Sequence, residues 1–268
     1  MQQKFETPID SSIFTAEQLA GHPVGGQESF RSASAHGWPL VLYFHHVHPT
    51  HQHYTSLRPE SFVRALDLVL EKFAPVSLDD LIQPDGTFSA PPQAPSVLFT
   101  FDDGYADVLE VAVPAMQDRG ISATFFVCTG LLGQRSENPA ENYLSWSNVG
   151  ELAAAGHTIA AHGVTHRPLP DLSQEEVDSE VRDSLTQLRE RAGVTLPAYA
   201  FPYGLAAPIP RRVDGFTSDV VAFGTVKAAP RPWTEAPQAI RRVYLPTDQD
   251  DSWPGIVNEW RIRWELSA

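Results

Sequence analysis

The sequence is poor in cysteine, in positive charge and in long apolar runs. Cys128 stands alone, which rules out a disulfide within the chain, and the surrounding run ATFFVCTG indicates a buried structural thiol. Lysine and arginine number 19 against 33 acidic residues, for a formal net charge of −14, which disfavours binding to nucleic acid or to an anionic membrane surface. No apolar stretch reaches the length of a membrane span.

The start of the chain also lacks a recognisable targeting segment. Residues 1–26 contain no apolar core of signal-peptide length, so with Met1 as the true start we expect a cytoplasmic protein. Residues 1–37 show no periodicity and are predicted to form a loose N-terminal arm. The remainder, 38–268, is long enough to form a single α/β barrel with a C-terminal helix.

From Pro39 onward, short apolar runs alternate with amphipathic segments, which is typical of βα units around a parallel sheet. Strands are predicted at 39–47, 96–103, 122–130, 157–163, 197–204, 219–225 and 239–246. Helices are predicted at 59–73, 106–120 with a kink at Pro114, 146–156, 173–193 and 252–266. We therefore predict an α/β fold with about seven parallel strands.

The residues best suited to chemistry follow the ends of these strands, in the stretches HHV, FDDG, HGVTH and FPYG. In barrels of parallel strands, functional side chains lie at the carboxyl ends of the strands, so all four stretches belong to one face. Adjacent strand residues point in opposite directions, which predicts different roles for Asp102 and Asp103 unless they merely cap a helix. His162 and His166 would share a face of a helical turn and converge on one cation; the alternative is two loop histidines.

In their order, TFDDG, WSNVGELAAAGHTIAAHGVTHRPL and FPYG resemble the motifs of the polysaccharide deacetylase family, also called the NodB-homology family or carbohydrate esterase family 4. The likeness extends from about Val41 to Val243. It implies a distorted (β/α)7-type barrel that removes N-acetyl groups from an amino-sugar glycan or sugar intermediate. It also implies one divalent metal, with zinc expected and cobalt or nickel as alternatives.

The resemblance assigns roles residue by residue. It implies Asp103, His162 and His166 as metal ligands, Asp102 as the general base and the backbone N–H of Tyr203 as a donor to the oxyanion. Pro202 and Tyr203 belong to the family's third motif and, with Arg242, are expected to contact the substrate.

The chain departs from the family pattern at three places. Gly163 stands where the family usually has serine or threonine, which removes a hydroxyl that would support the ligands. Ala200 stands where an arginine often pairs with the base, and Arg241 or Arg242 could replace it. No histidine follows His166, so the histidine that often serves as the family's general acid is missing.

A histidine-rich stretch, YFHHVHPTHQHY, offers a replacement for the missing acid. By strand alternation either His45 or His46 lies at the rim near the aspartates, and we predict His45 either as the proton donor or as a residue that only orients a carboxylate. The remaining three histidines are expected in a solvated loop: His48, His51 and His53.

Two alternatives remain open beside the leading hypothesis. One is a hydrolase of another small-molecule amide, ester or cyclic imide on the same fold, although the intact TFDDG argues against metal-free versions. The other is a catalytically inactive carbohydrate-binding domain, which the missing acid supports. The lack of an export signal favours a cytosolic sugar conjugate over finished polymer as the substrate, and the oligomeric state is left open.

Overall fold

The computed structural model describes residues 34–266, apart from 36, 52–55, 226–227 and 248–249. Most of the predicted N-terminal arm and His53 therefore lie outside the described residues. The strands are β1 Leu40–Phe44, β2 His46–Val47, β3 Ser56–Leu57, β4 Ala74–Pro75, β5 Ser96–Phe101, β6 Thr124–Val127, β7 Thr158–Ala161, β8 Ala198–Ala200 and β9 Val221–Phe223.

One parallel sheet of seven strands organises the molecule. Its order is β1-β5-β6-β7-β8-β9, with the short β4 beside β5, while β2 and β3 form a separate parallel pair. Representative pairs are Leu42 with Phe99 and Tyr199 with Ala222. The sheet curls into a distorted barrel, which confirms the predicted α/β fold class.

The segment 239–246 closes this sheet without forming the predicted strand. Ile240 makes an isolated parallel bridge to Phe223 in β9, and Val243 makes one to Leu42 in β1. Because the segment pairs with a different strand at each of these positions, no continuous ladder forms. The prediction of a regular strand here was wrong, although the segment does link the first and last strands of the sheet.

The helices are α1 Pro59–Leu70, α2 Leu78–Leu81, α3 Ala112–Gln117, α4 Trp146–Ala154, α5 Gln174–Ala192 and α6 Trp253–Leu266. Ser173 begins α5 with a capping box, and Gly193 ends it in the left-handed conformation at φ 68°. The helix predicted over 106–120 is instead a 3-10 turn followed by α3. Pro114 has no N–H to bond to the carbonyl four residues earlier, so the helix restarts rather than kinks.

Alternation along the strands creates two apolar layers. Side chains such as Leu42, Phe44 and Phe99 pack outward against the helices, whereas those of Leu98, Phe126 and others fill the barrel. The predicted C-terminal helix is confirmed, with three tryptophans buried against the body: Trp253, Trp260 and Trp264. No helix of the described part of the chain is both long and apolar enough to cross a membrane.

Candidate active site and metal centre

Asp102 directly follows the carboxyl end of β5 and forms a buried ion pair with Arg242. The backbone N–H of Asp102 donates to the Phe44 carbonyl at 2.9 Å, which extends the strand and turns the carboxylate toward the barrel axis. Arg242 Nη1 donates to Oδ1 at 2.6 Å and Nη2 to Oδ2 at 2.7 Å, a bidentate arrangement. The Asp102 residue is 4% exposed and Arg242 is fully buried. This carboxylate is therefore fixed in position.

Further contacts fix the guanidinium of Arg242. Its Nε donates to the Gly224 carbonyl at 2.8 Å, and Nη1 also reaches Thr100 Oγ1 at 3.2 Å. The guanidinium carbon lies 5.0 Å from the ring centroid of Tyr43 and 5.2 Å from that of Phe126. Complete burial disagrees with the predicted substrate-binding role of Arg242, because Asp102 and the barrel wall enclose the side chain.

Arg241, the other arginine considered as a replacement partner, has a different environment. Its Nη1 donates to the Ala228 carbonyl at 2.6 Å. Ile240 packs inside the barrel and Val243 outside it, so alternation places position 242 inward and position 241 outward.

Burial would raise the pKa of Asp102, but the charge of Arg242, aided by His162, outweighs it and holds this pKa below the usual range.

Asp103 points away from this pair because its backbone adopts a left-handed conformation, at φ 70°. Its Oδ1 lies 3.2 Å from Nε2 of His162 and 3.0 Å from Nε2 of His166. This oxygen is buried, and no hydrogen bond of normal geometry reaches it from the described residues. Burial would raise the pKa of Asp103, but His166 and His162 hold it well below its usual range.

The two histidines are held by different parts of the backbone. His162 follows β7, and its Nδ1 lies 2.8 Å from the Ala200 carbonyl. A carbonyl can only accept, so Nδ1 carries a proton, and Nε2 is the nitrogen that could bind a cation. His166 lies beyond a bend at φ 61°. The predicted helical turn between them was wrong; they converge because the loop 163–166 folds back. Burial lowers the pKa of His166, but Asp103 raises it above its usual value.

Together these three residues fit a divalent transition metal. One ligand atom from each of Asp103, His162 and His166 lies within 4.8 Å of the other two. Two imidazole nitrogens and one carboxylate oxygen are the donor set that zinc and similar cations accept while positions remain open for water and substrate. The carboxylate oxygen without a hydrogen bond is the atom that a cation would satisfy.

Pro202 and Tyr203 form a 3-10 turn directly after β8. The Tyr203 ring centroid lies 4.6 Å from that of His166, and Tyr203 itself has φ 58°. Among the described residues, the non-glycine residues with positive φ are Asp103, His166 and Tyr203. Such conformations cost on the order of 1–3 kcal/mol each and cluster at functional sites, so the backbone strain of this molecule is concentrated here.

The histidine-rich stretch divides between the two sides of the chain. His45 is partly buried and contacts the ring of Tyr43 at 5.6 Å between centroids. Burial lowers its pKa, while the nearby carboxylates of Asp103 and Asp102 oppose the shift. The ring of Tyr43, two residues earlier, lies against Arg242, so alternation places His45 on the side of the chain that carries the Arg242–Asp102 pair.

His46 faces the opposite side of the chain. Its Nδ1 lies 3.0 Å from Asp107 Oδ2, and its ring stacks on Tyr105 at 3.8 Å. His48 and His51 are partly buried rather than solvated as predicted: His48 Nδ1 accepts the His51 N–H, and the His51 ring lies 4.5 Å from that of His46. No metal-binding group of three was found here among the described residues.

Comparison with known proteins points to one family. The model of the family described as polysaccharide deacetylase matches residues 89–213. Bacillus subtilis YxkH, a protein assigned to the polysaccharide deacetylases, is 32% identical over 93 residues, 35% of this chain and 31% of that protein. Chitin deacetylase 1 of Cryptococcus neoformans is 28% identical over 105 residues, 39% of this chain and 20% of that protein. The alignments thus span less than a third of each of these relatives.

Solved structures share the fold over most of this chain. The structure of IcaB from Ammonifex degensii has a TM-score of 0.65 at 23% identity, covering 86% of this chain and 98% of that one. The Streptococcus pyogenes deacetylase PplD, solved with acetate, has a TM-score of 0.65 at 19% identity, covering 84% of this chain and 97% of that one. At these identities the likeness establishes the distorted barrel and not the substrate.

Proposed function

Since this chain belongs to the polysaccharide deacetylase family, we propose that it is a metal-dependent hydrolase that removes N-acetyl groups from amino sugars in a glycan or a sugar intermediate. The observation that carries the proposal is the convergence of Asp103, His162 and His166 beside the arginine-bound Asp102. The names of the relatives support an acetylated carbohydrate as the substrate class.

We propose that Asp103, His162 and His166 hold zinc, with cobalt or nickel as substitutes. A cation held by these residues would polarise the acetyl carbonyl and lower the pKa of a water molecule. The chain's own contribution is the orientation of the ligands, because the Ala200 carbonyl sets the tautomer of His162 and the loop conformation sets the ring of His166.

Asp102 is proposed as the base that accepts a proton from the attacking water. The bidentate contact with Arg242 keeps the carboxylate ionised and fixes its direction, at the cost of making it a weaker base. The backbone N–H of Tyr203, in the turn after β8, is proposed as the donor to the oxyanion. In comparable sites one such donor contributes about 3 kcal/mol to the transition state.

His45 is proposed as the group that protonates the departing amine. In the resting molecule burial lowers the pKa of His45, so the proton that it gives to the amine would be the one that Asp102 takes from the attacking water. Negative charge that develops on the substrate beside Asp102 and Asp103 would favour that transfer. Pro202 and Tyr203, at the rim, are the proposed substrate contacts.

The test is acetate release from a panel of N-acetylated monosaccharides, sugar conjugates and oligosaccharides, with zinc or cobalt added. The expected result is turnover that disappears in Asp102→Asn. Hydrolysis of simple amides, esters or cyclic imides, without acetate release from sugars, would favour the other hydrolase on this fold. Glycan binding that Asp102→Asn leaves unchanged, without any turnover by the unsubstituted chain, would contradict the proposal in favour of an inactive binding domain.

A further inference from the structure

The loop 163–166 carries His166 and connects it to His162, yet it belongs to no helix or strand. Gly163 has φ 84° and His166 has φ 61°, so the loop is held in a conformation that costs free energy at His166. A ligand on such a loop keeps its direction only when neighbouring elements fix the backbone. The contacts of the loop backbone therefore determine how well His166 is placed.

The carbonyl groups of the loop are held by the chain that follows β6. The backbone N–H of Thr129 donates to the Gly163 carbonyl at 3.1 Å, and that of Gly130 donates to the Val164 carbonyl at 2.9 Å. A β-carbon at position 130 would lie 2.7 Å from the Val164 carbonyl oxygen, so the two backbones approach very closely. One side of the loop is thus attached to the sheet.

The N–H groups of the same loop are held by one carboxylate, that of Glu180. Its Oε2 accepts the backbone N–H of Val164 at 2.6 Å and that of Thr165 at 3.0 Å, and its Oε1 accepts the Thr165 hydroxyl. Glu180 is 8% exposed and projects from α5, whose neighbouring residues Val177 and Val181 are part of the core. The carboxylate therefore connects the loop to a rigid helix.

Glu180 also explains why position 163 is glycine. A β-carbon there would lie 2.8 Å from Glu180 Oε2 and 3.3 Å from the Tyr199 hydroxyl oxygen. The carboxylate occupies the volume that a side chain at 163 would need, and the positive φ disfavours any side chain at this position. The hydroxyl expected after the first histidine is absent, and a carboxylate from another element takes its place against the loop.

We propose that Glu180 is a positioning residue for His166 and that Gly163 and Glu180 form a compensating pair. Glu180 acts on the metal centre only through the backbone of Val164 and Thr165, and the glycine keeps the approach to that backbone open. The effect on metal binding rests on the proposed function, whereas the effect on the loop does not.

The first experiment compares metal affinity in Glu180→Ala and Glu180→Gln, measured as cobalt binding against a competing chelator with the visible spectrum as readout. We expect Glu180→Ala to lower the affinity about 10- to 100-fold, the range typical of groups that orient metal ligands. Glu180→Gln should stay within a few-fold of the unsubstituted chain, because its amide oxygen accepts both N–H groups and its NH2 donates to Thr165.

Ser184→Ala is the matched control, since Ser184 is buried on the same helix and its hydroxyl donates to the carbonyls of Glu180 and Val181 within that helix. It should leave cobalt affinity unchanged even where it lowers stability. Equal affinity in Glu180→Ala and the unsubstituted chain, or an equal loss in Ser184→Ala, would overturn the positioning role.

The second experiment needs no metal, so it separates this inference from the proposed function. Amide hydrogen exchange of Val164 and Thr165 in the metal-free protein should become about 10-fold faster or more in Glu180→Ala, because hydrogen bonds to a charged acceptor are lost. Exchange of the α5 amides should not change. Unaltered exchange at both loop amides would overturn the proposal whatever the metal data show.

The pairing of the two positions is tested by combining substitutions. Gly163→Ala should destabilise the unsubstituted chain more than it destabilises Glu180→Ala, because the clash with Oε2 exists only in the former. The backbone strain at position 163 is common to both backgrounds and cancels. Additive losses in urea denaturation would show that the two positions do not compensate each other.

Discussion

Asp102 and Asp103 are neighbours in the sequence, yet the surroundings of their carboxylates differ in almost every respect. Both oxygens of Asp102 accept hydrogen bonds from one buried arginine that is itself bonded to the barrel wall. Oδ1 of Asp103 has no hydrogen bond of normal geometry, and it faces two imidazole nitrogens about 3 Å away. Both carboxylate oxygens of Asp102 therefore have hydrogen-bond donors, whereas Oδ1 of Asp103 is placed where a cation could bind it.

The backbone produces this difference. Asp102 continues the extended strand, so alternation directs it inward to Arg242, whereas Asp103 adopts φ 70° and turns toward the loops after β7. The pKa of both carboxyl groups is lowered, in one case by a permanent cation and in the other by histidines. This difference supports the proposed roles, in which the arginine side would fix a base and the histidine side would bind a cation.

The largest effect is expected from removing a ligand on the histidine side. His162→Ala should lose bound metal and reduce acetate release to background, because two donors do not hold a catalytic cation against dialysis. Metal content by elemental analysis and acetate release measured on the same sample check this. His157→Ala is the control, since His157 is a buried histidine whose Nδ1 accepts the Ala123 N–H away from the site; equal metal loss there would contradict the ligand assignment.

Breaking the arginine side should cost stability rather than metal. Arg242→Met leaves the Asp102 carboxylate buried without its partner, and removal of one member of such a pair costs about 3–5 kcal/mol. Urea denaturation measures the loss. Adding Asp102→Asn to Arg242→Met should recover part of it by removing the stranded charge, so a double variant no more stable than Arg242→Met would count against this account of the pair.

His45→Ala should keep its metal and lower the rate of acetate release about 10²-fold or more, the contribution typical of a general acid. Steady-state turnover at saturating substrate measures the effect. His46→Ala, which removes the pair with Asp107, serves as the neighbouring control. Full turnover in His45→Ala would end the proposed role.

The smallest effect is a difference in pH response between the two sides of the metal-free protein. The pKa of His166 is raised, so its contribution to stability is complete below about pH 6.5 and is lost as the pH rises through the folded-state value. The pKa of Asp102 is lowered, so its contribution is present above about pH 4 and is lost as the pH falls through the folded-state value.

Thermal unfolding between pH 3 and pH 9 resolves the two responses. His166→Gln should flatten the loss of stability on the alkaline side and leave the acid side in place. An unchanged alkaline side would show that His166 does not gain protonation on folding.

The sequence predicted the parts of the site that depend on strand alternation and motif order. The position of Asp102, Asp103 and His162 at strand ends followed from the pattern, whereas the choice between Arg241 and Arg242 as the partner of Asp102 required the structure. The shape of HGVTH could not be predicted, because the positive φ of Gly163 and His166 depends on contacts made by distant parts of the chain.

The role of Glu180 could not be predicted from the sequence either. In the sequence it is one acidic residue among several on a well-predicted helix, and nothing in the pattern marks its side chain as buried against a loop. The segment 239–246 is a further case, since its apolar pattern suits a strand but its pairing is shared between β1 and β9. Tertiary contacts decided both outcomes.

The most direct test of the division between the two aspartates is a cobalt titration of the metal-free chain, compared between Asp102→Asn and Asp103→Asn. Both substitutions remove one negative charge at adjacent positions, so the net charge of the chain changes equally in the two variants. We expect saturation at one equivalent in Asp102→Asn, with an affinity close to that of the unsubstituted chain, and no saturable binding in Asp103→Asn. Equal loss of cobalt in the two variants, or retention in Asp103→Asn, would contradict this expectation.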